Sequence, residues 1–421
     1  MRLKSIITSA FGCIFLSTFA QEPLSLDNYR ERVVGYNQDV KRAAAGVVAS
    51  DAQRKSIRTG FLPKIELQGD YTLNLRELEK GGLTPHIYKG VAVLTQNIWD
   101  GGYTNKQSQG AKLEKEIAIG GENLTIDNIV YQADLVYWTA SANKDLYEQM
   151  VEYLRIVKNL YEVVNDRFNN GLISRTDLLM VETRLKEAEL ALVNAKKSNS
   201  LAQQSLNILM GEDPMALYQP SDTITMPMIN PQQKSLGETL NNRSDFHIAE
   251  LQVELAKAQK GQAMSKVNPK IYTGLTAGYT NNNVILKEMW VAAAFVGVRI
   301  PLLQWGDRKY TSRAAKANIN IKELELQKSA DQISLELSNA WTNLEESTSL
   351  VDIANQSVAI ADRSLEINTF SYNEGRLTIL DVLQSQLSWI NARSNLIQHN
   401  MAHKMAISEY VRIIGGLEVV E

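Results

Sequence analysis

The sequence predicts a mainly α-helical, internally duplicated chain that combines long coiled-coil helices with four β-strands. The duplication is visible because residues 168–211 and 372–415 align without a gap, about 204 positions apart. A second observation is an apolar period of 3.5 residues in both halves, which is typical of helices that wrap around one another. A third is polar/apolar alternation in short segments, which indicates β-strands. One structural plan therefore occurs twice.

The chain opens with a predicted secretory signal at residues 1–20, which would be absent from the mature protein. Arg2 and Lys4 precede an apolar run that ends in small residues before Gln21. The alternative is a lipoprotein anchored through Cys13, the only cysteine, but the residues before it form a poor lipid-attachment box. After cleavage, no thiol would remain for disulfide or thiolate chemistry.

Two repeats are predicted beyond the signal, a first at residues 21–213 and a second at 235–416. Each has the order helix, strand, strand, long helix, helix, and the opening helix of the first is predicted at residues 25–59. A proline-rich connector at residues 214–234 shows neither helical nor strand periodicity. Residues 417–421 form a short tail.

Four strands are predicted, beginning with residues 65–75, where apolar and polar side chains alternate. The other three lie at about residues 88–98, 271–280 and 289–300. The polar side of the first strand bears Glu66, Gln68, Asp70, Thr72 and Asn74. Candidates for an aromatic girdle at a membrane interface are Tyr71, Tyr88, Tyr279 and Trp290.

Two very long helices follow the strands, at about residues 103–169 and 307–373. A rise of 1.5 Å per residue makes each about 100 Å long. Asn143 and Ser347 interrupt the apolar seams of these helices at matching positions. Each polar residue either fixes the register of the packed helices or is an ordinary solvated position.

Several functional classes are disfavoured by composition and motifs. The net charge of −3 and the lack of a long basic run argue against a nucleic-acid partner. No catalytic or phosphate-binding motif is present, so we expect neither enzyme activity nor a cofactor. His399 and His403 have a spacing that can bind a metal, but no further ligand lies close by, and we interpret them as two exposed histidines.

Four strands are too few to close a membrane barrel, and open strand edges cannot face lipid. Three chains would together supply twelve strands, an even number that allows a closed antiparallel barrel whose polar faces line the lumen. The alternative is a small soluble sheet. No later segment has the roughly 18 consecutive apolar residues of a transmembrane helix.

Two motifs and two strand exits carry a resemblance to a known family. The motifs run from Phe168-Asn-Asn-Gly171 to Asp177 and from Tyr372-Asn-Glu-Gly375 to Asp381, and the exits are Trp99-Asp-Gly-Gly102 and Trp305-Gly-Asp-Arg308. Over essentially the whole mature chain, the sequence resembles the TolC family of outer-membrane efflux channels. The resemblance implies a homotrimer with a twelve-stranded β-barrel in the outer-membrane lipid and a helical barrel in the periplasm. It also implies a periplasmic adaptor (membrane fusion) protein and an inner-membrane pump of the RND or ABC type.

The resemblance also implies that the helix tips form the closed periplasmic entrance. Asp381 matches an aspartate of an acidic constriction ring, whereas Gln384 occupies the place of a second ring aspartate. Tyr372 matches the tyrosine of a network that locks the tip. The arginine of that network would fall at Leu377, with Arg376 beside it, so a different set of bonds is expected here.

The tip motifs also have a purely structural interpretation. Asp177 and Asp381 each lie three residues after a hydroxyl, a spacing that caps the start of a helix. Gly171 and Gly375 fit a left-handed turn at the end of the preceding helix. With the resemblance, we expect a passive outer-membrane channel subunit for efflux or secretion. The alternative is an exported coiled-coil scaffold whose strands form a soluble oligomerisation sheet.

Overall fold

The computed structural model describes residues 23–73, 86–225, 231–282 and 286–415. The predicted signal, the short tail, the loop around Gly81-Gly82 and part of the proline-rich connector lie outside the described residues.

The first half contains the predicted succession of helices and strands. Its elements are β1 (Pro23–Leu24), α1 (Leu26–Tyr36), α2 (Gln38–Arg58), a 3-10 turn (Thr59–Phe61), β2 (Lys64–Leu73), β3 (His86–Trp99), α3 (Tyr103–Asn169) and α4 (Arg175–Leu209). The prediction of one continuous helix at residues 25–59 is wrong at Asn37. This residue has extended backbone (φ −57°, ψ 132°), and its side chain accepts hydrogen bonds from the amides of Asp39 and Val40 as the cap of α2.

The second half repeats the plan. Its elements are β4 (Gln219–Pro220), α5 (Leu236–Asn242), α6 (Ser244–Ser265), β5 (Lys270–Asn282), β6 (Leu286–Arg299), α7 (Asp307–Asn373) and α8 (Ile379–Ile413). Helices α3 and α7 have 67 residues each, and α4 and α8 have 35 residues each. The predicted duplication is therefore confirmed in element order and in element length. The connector was expected to lack strand structure, but β4 lies within it and pairs in parallel with β1.

The apolar seam of α7 follows the predicted 3.5-residue period. The residues at Ile333, Ala340, Leu344, Ala354 and Ala361 are buried, whereas most of the positions between them are exposed. Within the described part of the chain, none of the helices combines the length and hydropathy that a membrane span requires.

Strands β2, β3, β5 and β6 form one antiparallel sheet in that order. The register pairs Ile65 with Leu94, Leu94 with Leu275, and Leu275 with Ala294, so apolar residues from all four strands share one face. The opposite face carries Glu66, Gln68, Asp70 and Thr72 of β2, as the alternation predicts; Asn74 lies outside the described residues.

Contacts divide the chain into two compact units, each built from segments of both halves. One comprises residues 1–36, 132–229 and 346–405. In this unit, the buried Tyr137 hydroxyl oxygen lies 2.8 Å from both the Leu24 carbonyl oxygen and Asp222 Oδ2, and its single proton can be donated to either.

The other unit comprises residues 37–131, 230–345 and 406–421 and contains the sheet. Here the buried Arg243 guanidinium lies 2.6 Å from Asp245 and 2.8 Å from Glu336. Two carboxylates thus compensate a cation that would be costly to bury alone.

Candidate functional site at the helix tips

The candidate site is formed by the tips of two helical hairpins, α3–α4 and α7–α8. Gly171 (φ 72°) and Gly375 (φ 73°) follow α3 and α7 in the left-handed conformation. The amides of Leu172 and Arg376 then reach back to the carbonyls of Arg167 and Ser371 at 2.9 and 2.8 Å. These bonds satisfy carbonyls at the helix ends, so the left-handed turns predicted from the sequence are confirmed. A Cβ at either glycine would meet no other atom, and it is the backbone conformation that favours glycine.

Each following helix begins with the predicted cap. Asp177 Oδ2 accepts hydrogen bonds from the backbone amide and the hydroxyl of Ser174, at 3.3 and 2.9 Å. The Ser174 hydroxyl oxygen in turn accepts a hydrogen bond from the Asp177 amide. Asp381 Oδ2 accepts likewise from Thr378 at 3.0 and 2.6 Å. The hydroxyl and amide of Thr378 lower the pKa of Asp381 below its usual value. This exposed carboxylate is therefore ionised at neutral pH.

The two hairpins pack against each other through an apolar cluster behind the tips. Its buried members are Leu160, Val164, Val181, Tyr372, Ile379, Val382 and Leu383. Helices α3 and α4 contribute three of these residues, and the α7–α8 hairpin contributes the other four. Separating the two hairpins would expose this buried apolar surface to water, which costs free energy.

A single arginine ties one hairpin to the other. From the last turn of α3, the Arg167 guanidinium donates to the carbonyls of Tyr372 and Asn373 at 3.2 and 3.0 Å. These are the final two residues of α7, whose carbonyls have no partner within the helix. The guanidinium also lies 4.7 Å from the centre of the Tyr372 ring, which is within cation–π range.

The predicted tip residues are brought together only in part. Tyr372 is 5% exposed and contacts Arg167, but its hydroxyl has no hydrogen-bond partner among the described residues. Arg376 and Gln384 are exposed, and no side-chain hydrogen bond or ion pair joins Arg376 to the rest of the described chain. The site thus uses Arg167 instead of Arg376, the arginine that the sequence suggested.

Arg167 was missed by the sequence analysis although it lies directly before the repeated motif. The duplication supplies the missing signal, because the matching position in the second half is Ser371. Since only one repeat has an arginine here, the bridge runs in one direction, from α3 to the end of α7.

The two candidate metal-binding histidines are not the exposed pair that we expected. Both His399 and His403 are half-buried, and His403 Nδ1 lies 2.9 Å from the Ser347 hydroxyl. Burial is the main cause that lowers the pKa of His403 below its usual value, and the positive charge of neighbouring Lys404 lowers this pKa further. Ser347 is buried, so the solvated interpretation is wrong for it, and its bond to α8 fits the register interpretation.

Its counterpart Asn143 is half-buried and donates to the Thr139 carbonyl of its own helix at 2.8 Å. No cluster of three potential metal ligands occurs among the described residues.

A row of aromatic side chains crosses the apolar face of the sheet. Tyr71 is paired with Tyr88, and Tyr279 with Trp290, while the Tyr88 and Tyr279 rings stack with centres 6.2 Å apart. The Trp290 side chain is 79% exposed. All four predicted girdle residues therefore lie at one level of one face.

Comparison with known proteins places these features in one family. The family model for the outer membrane efflux protein matches residues 31–212 and 235–416, once in each half. The outer membrane efflux protein BepC of Brucella suis is 23% identical over 384 residues, which cover 89% of this chain and 81% of BepC. The outer membrane protein TolC of Escherichia coli is 22% identical over 388 residues, covering 86% of this chain and 76% of TolC.

Solved structures share the fold. The CmeC outer membrane channel of Campylobacter jejuni superposes with a TM-score of 0.80 at 17% identity. The match covers 94% of this chain and 87% of the CmeC chain. The open state of the MtrE outer membrane channel of Neisseria gonorrhoeae gives a TM-score of 0.80 at 16% identity, covering 93% and 89%. The fold class is the one expected: a duplicated, mainly helical chain with four antiparallel strands, which matches these outer membrane channels.

Proposed function

Because this chain belongs to the outer membrane efflux protein family, we propose that its helix tips form the gate of a passive export duct. The chain is a subunit of an outer-membrane efflux channel, with its strands in the membrane and its helices in the periplasm. The alternative, an exported coiled-coil scaffold, finds no support among the relatives.

The bridge from Arg167 to the end of α7 is the observation that supports this gate. It joins two hairpins by hydrogen bonds and an apolar contact, and a relative movement of the hairpins breaks both at once. A closed state held by a few such bonds can be shifted by a partner that binds the open tips more tightly. The partner supplies the free energy, and the channel itself needs no cofactor.

We assign the charged element of the gate to Asp381. Family members form trimers, so three symmetry-related carboxylates would surround a narrow mouth and attract cations. Its cap bonds occupy Oδ2 and leave the negative charge in place. Gln384 lies one helical turn further along α8 and is uncharged. Each subunit would therefore supply one carboxylate from α8 to the ring, that of Asp381. Asp177 and Arg376 would line the mouth from the two different kinds of tip.

The partners that we propose are a periplasmic adaptor and an inner-membrane pump of the RND or ABC type. Family members are the outer-membrane part of tripartite systems, in which the choice of cargo resides mainly in the pump. Crosslinking in whole cells followed by purification of this chain would identify both partners by mass spectrometry. Recovery of intact trimers without any adaptor under these conditions would contradict the proposal.

The charge of the gate is tested with Asp381→Asn, which keeps an oxygen for the helix cap and removes the negative charge. Purified trimers in planar bilayers should lose block by a polyvalent cation added at the periplasmic side. Glu162→Gln, at an exposed carboxylate on α3, is the matched control and should block as wild type does. Equal block of wild-type and Asp381→Asn channels would show that the ring does not control the mouth.

A further inference from the structure

Two cations lie side by side at one end of the sheet. Lys270, the first residue of β5, is directly opposite Arg299, the last residue of β6. Like charges in this position repel and destabilise a strand pair. None of the described residues forms an ion pair with either cation, so nothing in the described part of the chain compensates the repulsion. Binding of an anion at this site would offset the repulsion between the two cations and would explain the arrangement.

The register fixes the face on which these cations lie. Their neighbours Ile271 and Val298 are paired on the apolar face, together with Leu275 and Trp290. Successive residues of a strand alternate between faces, so Lys270 and Arg299 belong to the opposite face. In a membrane barrel the apolar face contacts lipid and the other lines the lumen. Both cations also lie where the strands meet the helices, which is the periplasmic end of the sheet.

Aromatic rings cover the next two residue pairs of β5 and β6 on the same face as the cations. The Tyr272 ring lies across Gly297, and the Phe295 ring lies across Gly274; a Cβ on either glycine would collide with the ring. The two rings meet edge to face, with centres 6.3 Å apart. The glycines thus allow flat apolar surfaces to lie along the lumen face beside two positive charges.

Elsewhere among the described side chains of this face, one acidic and one basic residue are register partners and add no net charge. Asp70 is directly opposite Lys89, further along β2 and β3. Glu66 is opposite Val93 and lies two strands away from Lys270. Lys64, at the start of β2, adds a positive charge. Among the described side chains of this face, the net positive charge is therefore concentrated at the periplasmic end.

We propose that Lys270, Arg299, Tyr272 and Phe295 form a lumenal subsite for organic anions that carry a flat aromatic or apolar body. The guanidinium and ammonium groups pair with a carboxylate, sulfonate or phosphate, and the rings contact the apolar body. Three subunits would place six cations in a ring, which favours anions at the entrance to the barrel. This inference rests on the channel function proposed above and extends it to the class of cargo.

Two measurements on purified trimers in planar bilayers test the subsite. The first is the reversal potential in a KCl gradient; the double variant Lys270→Gln/Arg299→Gln should raise the cation-to-anion permeability ratio about threefold. The second is block by 1-naphthalenesulfonate, whose apparent Kd should rise about tenfold in the same variant. The double variant Lys270→Arg/Arg299→Lys keeps both charges and should retain the wild-type values.

The matched control is Asp70→Asn/Lys89→Gln, which removes two charges from the same face without changing its net charge. It should leave both measurements unchanged. Wild-type values in the Lys270→Gln/Arg299→Gln channel would overturn the subsite while leaving the channel function intact. Folded trimers that carry no current at all would instead overturn the channel function.

Discussion

Replacing Arg167 by alanine should weaken the closed state of the entrance without unfolding the chain. The variant loses the two hydrogen bonds to the carbonyls of Tyr372 and Asn373 and the contact with the Tyr372 ring. Each charge-assisted bond at a half-exposed site contributes about 1 kcal/mol, and the cation–π contact about 0.5–1 kcal/mol. The closed tip is therefore destabilised by about 2–3 kcal/mol per subunit, which corresponds to about a 50-fold rise in the open population of each tip.

Single-channel recording of the purified trimers measures this directly. The Arg167→Ala channel should show higher mean conductance and longer openings than wild type. Cells that carry it should admit a large hydrophilic antibiotic that wild-type cells exclude. Arg167→Lys should give intermediate conductance and open times. A lysine ammonium lacks the planar fork with which the arginine guanidinium binds both carbonyls.

The matched control is Arg376→Ala, which removes the arginine that the sequence suggested at the other tip. This exposed side chain has no side-chain hydrogen bond or ion pair in the described part of the chain, so the fraction of time that the channel is open should stay at the wild-type value. A larger open fraction in Arg376→Ala, with none in Arg167→Ala, would contradict the role given to Arg167. Circular dichroism and trimer stability on gels would confirm that both variants fold.

Three other predictions follow from particular residues. Tyr372→Phe should leave conductance and thermal stability nearly unchanged, because the buried hydroxyl lacks a partner among the described residues; a leaky channel would show that the hydroxyl bonds across the trimer. Lys404→Met should raise the Tm at pH 7, because burial lowers the pKa of Lys404 to about 8. The unfolded chain binds the Lys404 proton more strongly than the folded chain, so the free energy of unfolding of the wild type should rise between about pH 8 and 10, by up to about 3 kcal/mol. The Lys404→Met variant should lack this rise, and an equal rise in both proteins would contradict the prediction. Gly375→Ala should destabilise the hairpin by about 1 kcal/mol in thermal unfolding because φ is 73°, whereas Gly46→Ala, within α2, should be neutral or stabilising; equal effects would be inconsistent with a required left-handed turn.

The repeated architecture could be predicted because its signals are local and periodic. Alternation gives the faces of β2, and the 3.5-residue period gives the seam of α7, residue by residue. The caps at Asp177 and Asp381 follow from a three-residue spacing. Each of these depends on neighbours in the sequence, and the structure confirms them.

Contacts between distant segments were not visible in this way. Arg167 meets the end of a helix about 200 residues away, and His403 meets Ser347 across two helices. The break at Asn37 was missed because the helical pattern continues on both sides of it. No periodic signal marks such positions, although the mismatch between Arg167 and Ser371 in the duplication is a usable one.

We infer that this chain forms a channel whose entrance is held closed by its own helix tips. The most direct test records wild-type and Arg167→Ala trimers side by side in planar bilayers. We predict discrete currents from both, with a mostly closed wild-type channel and a variant that is open for a much larger fraction of the time. Intact trimers without current, or identical open fractions in the two proteins, would contradict the claim.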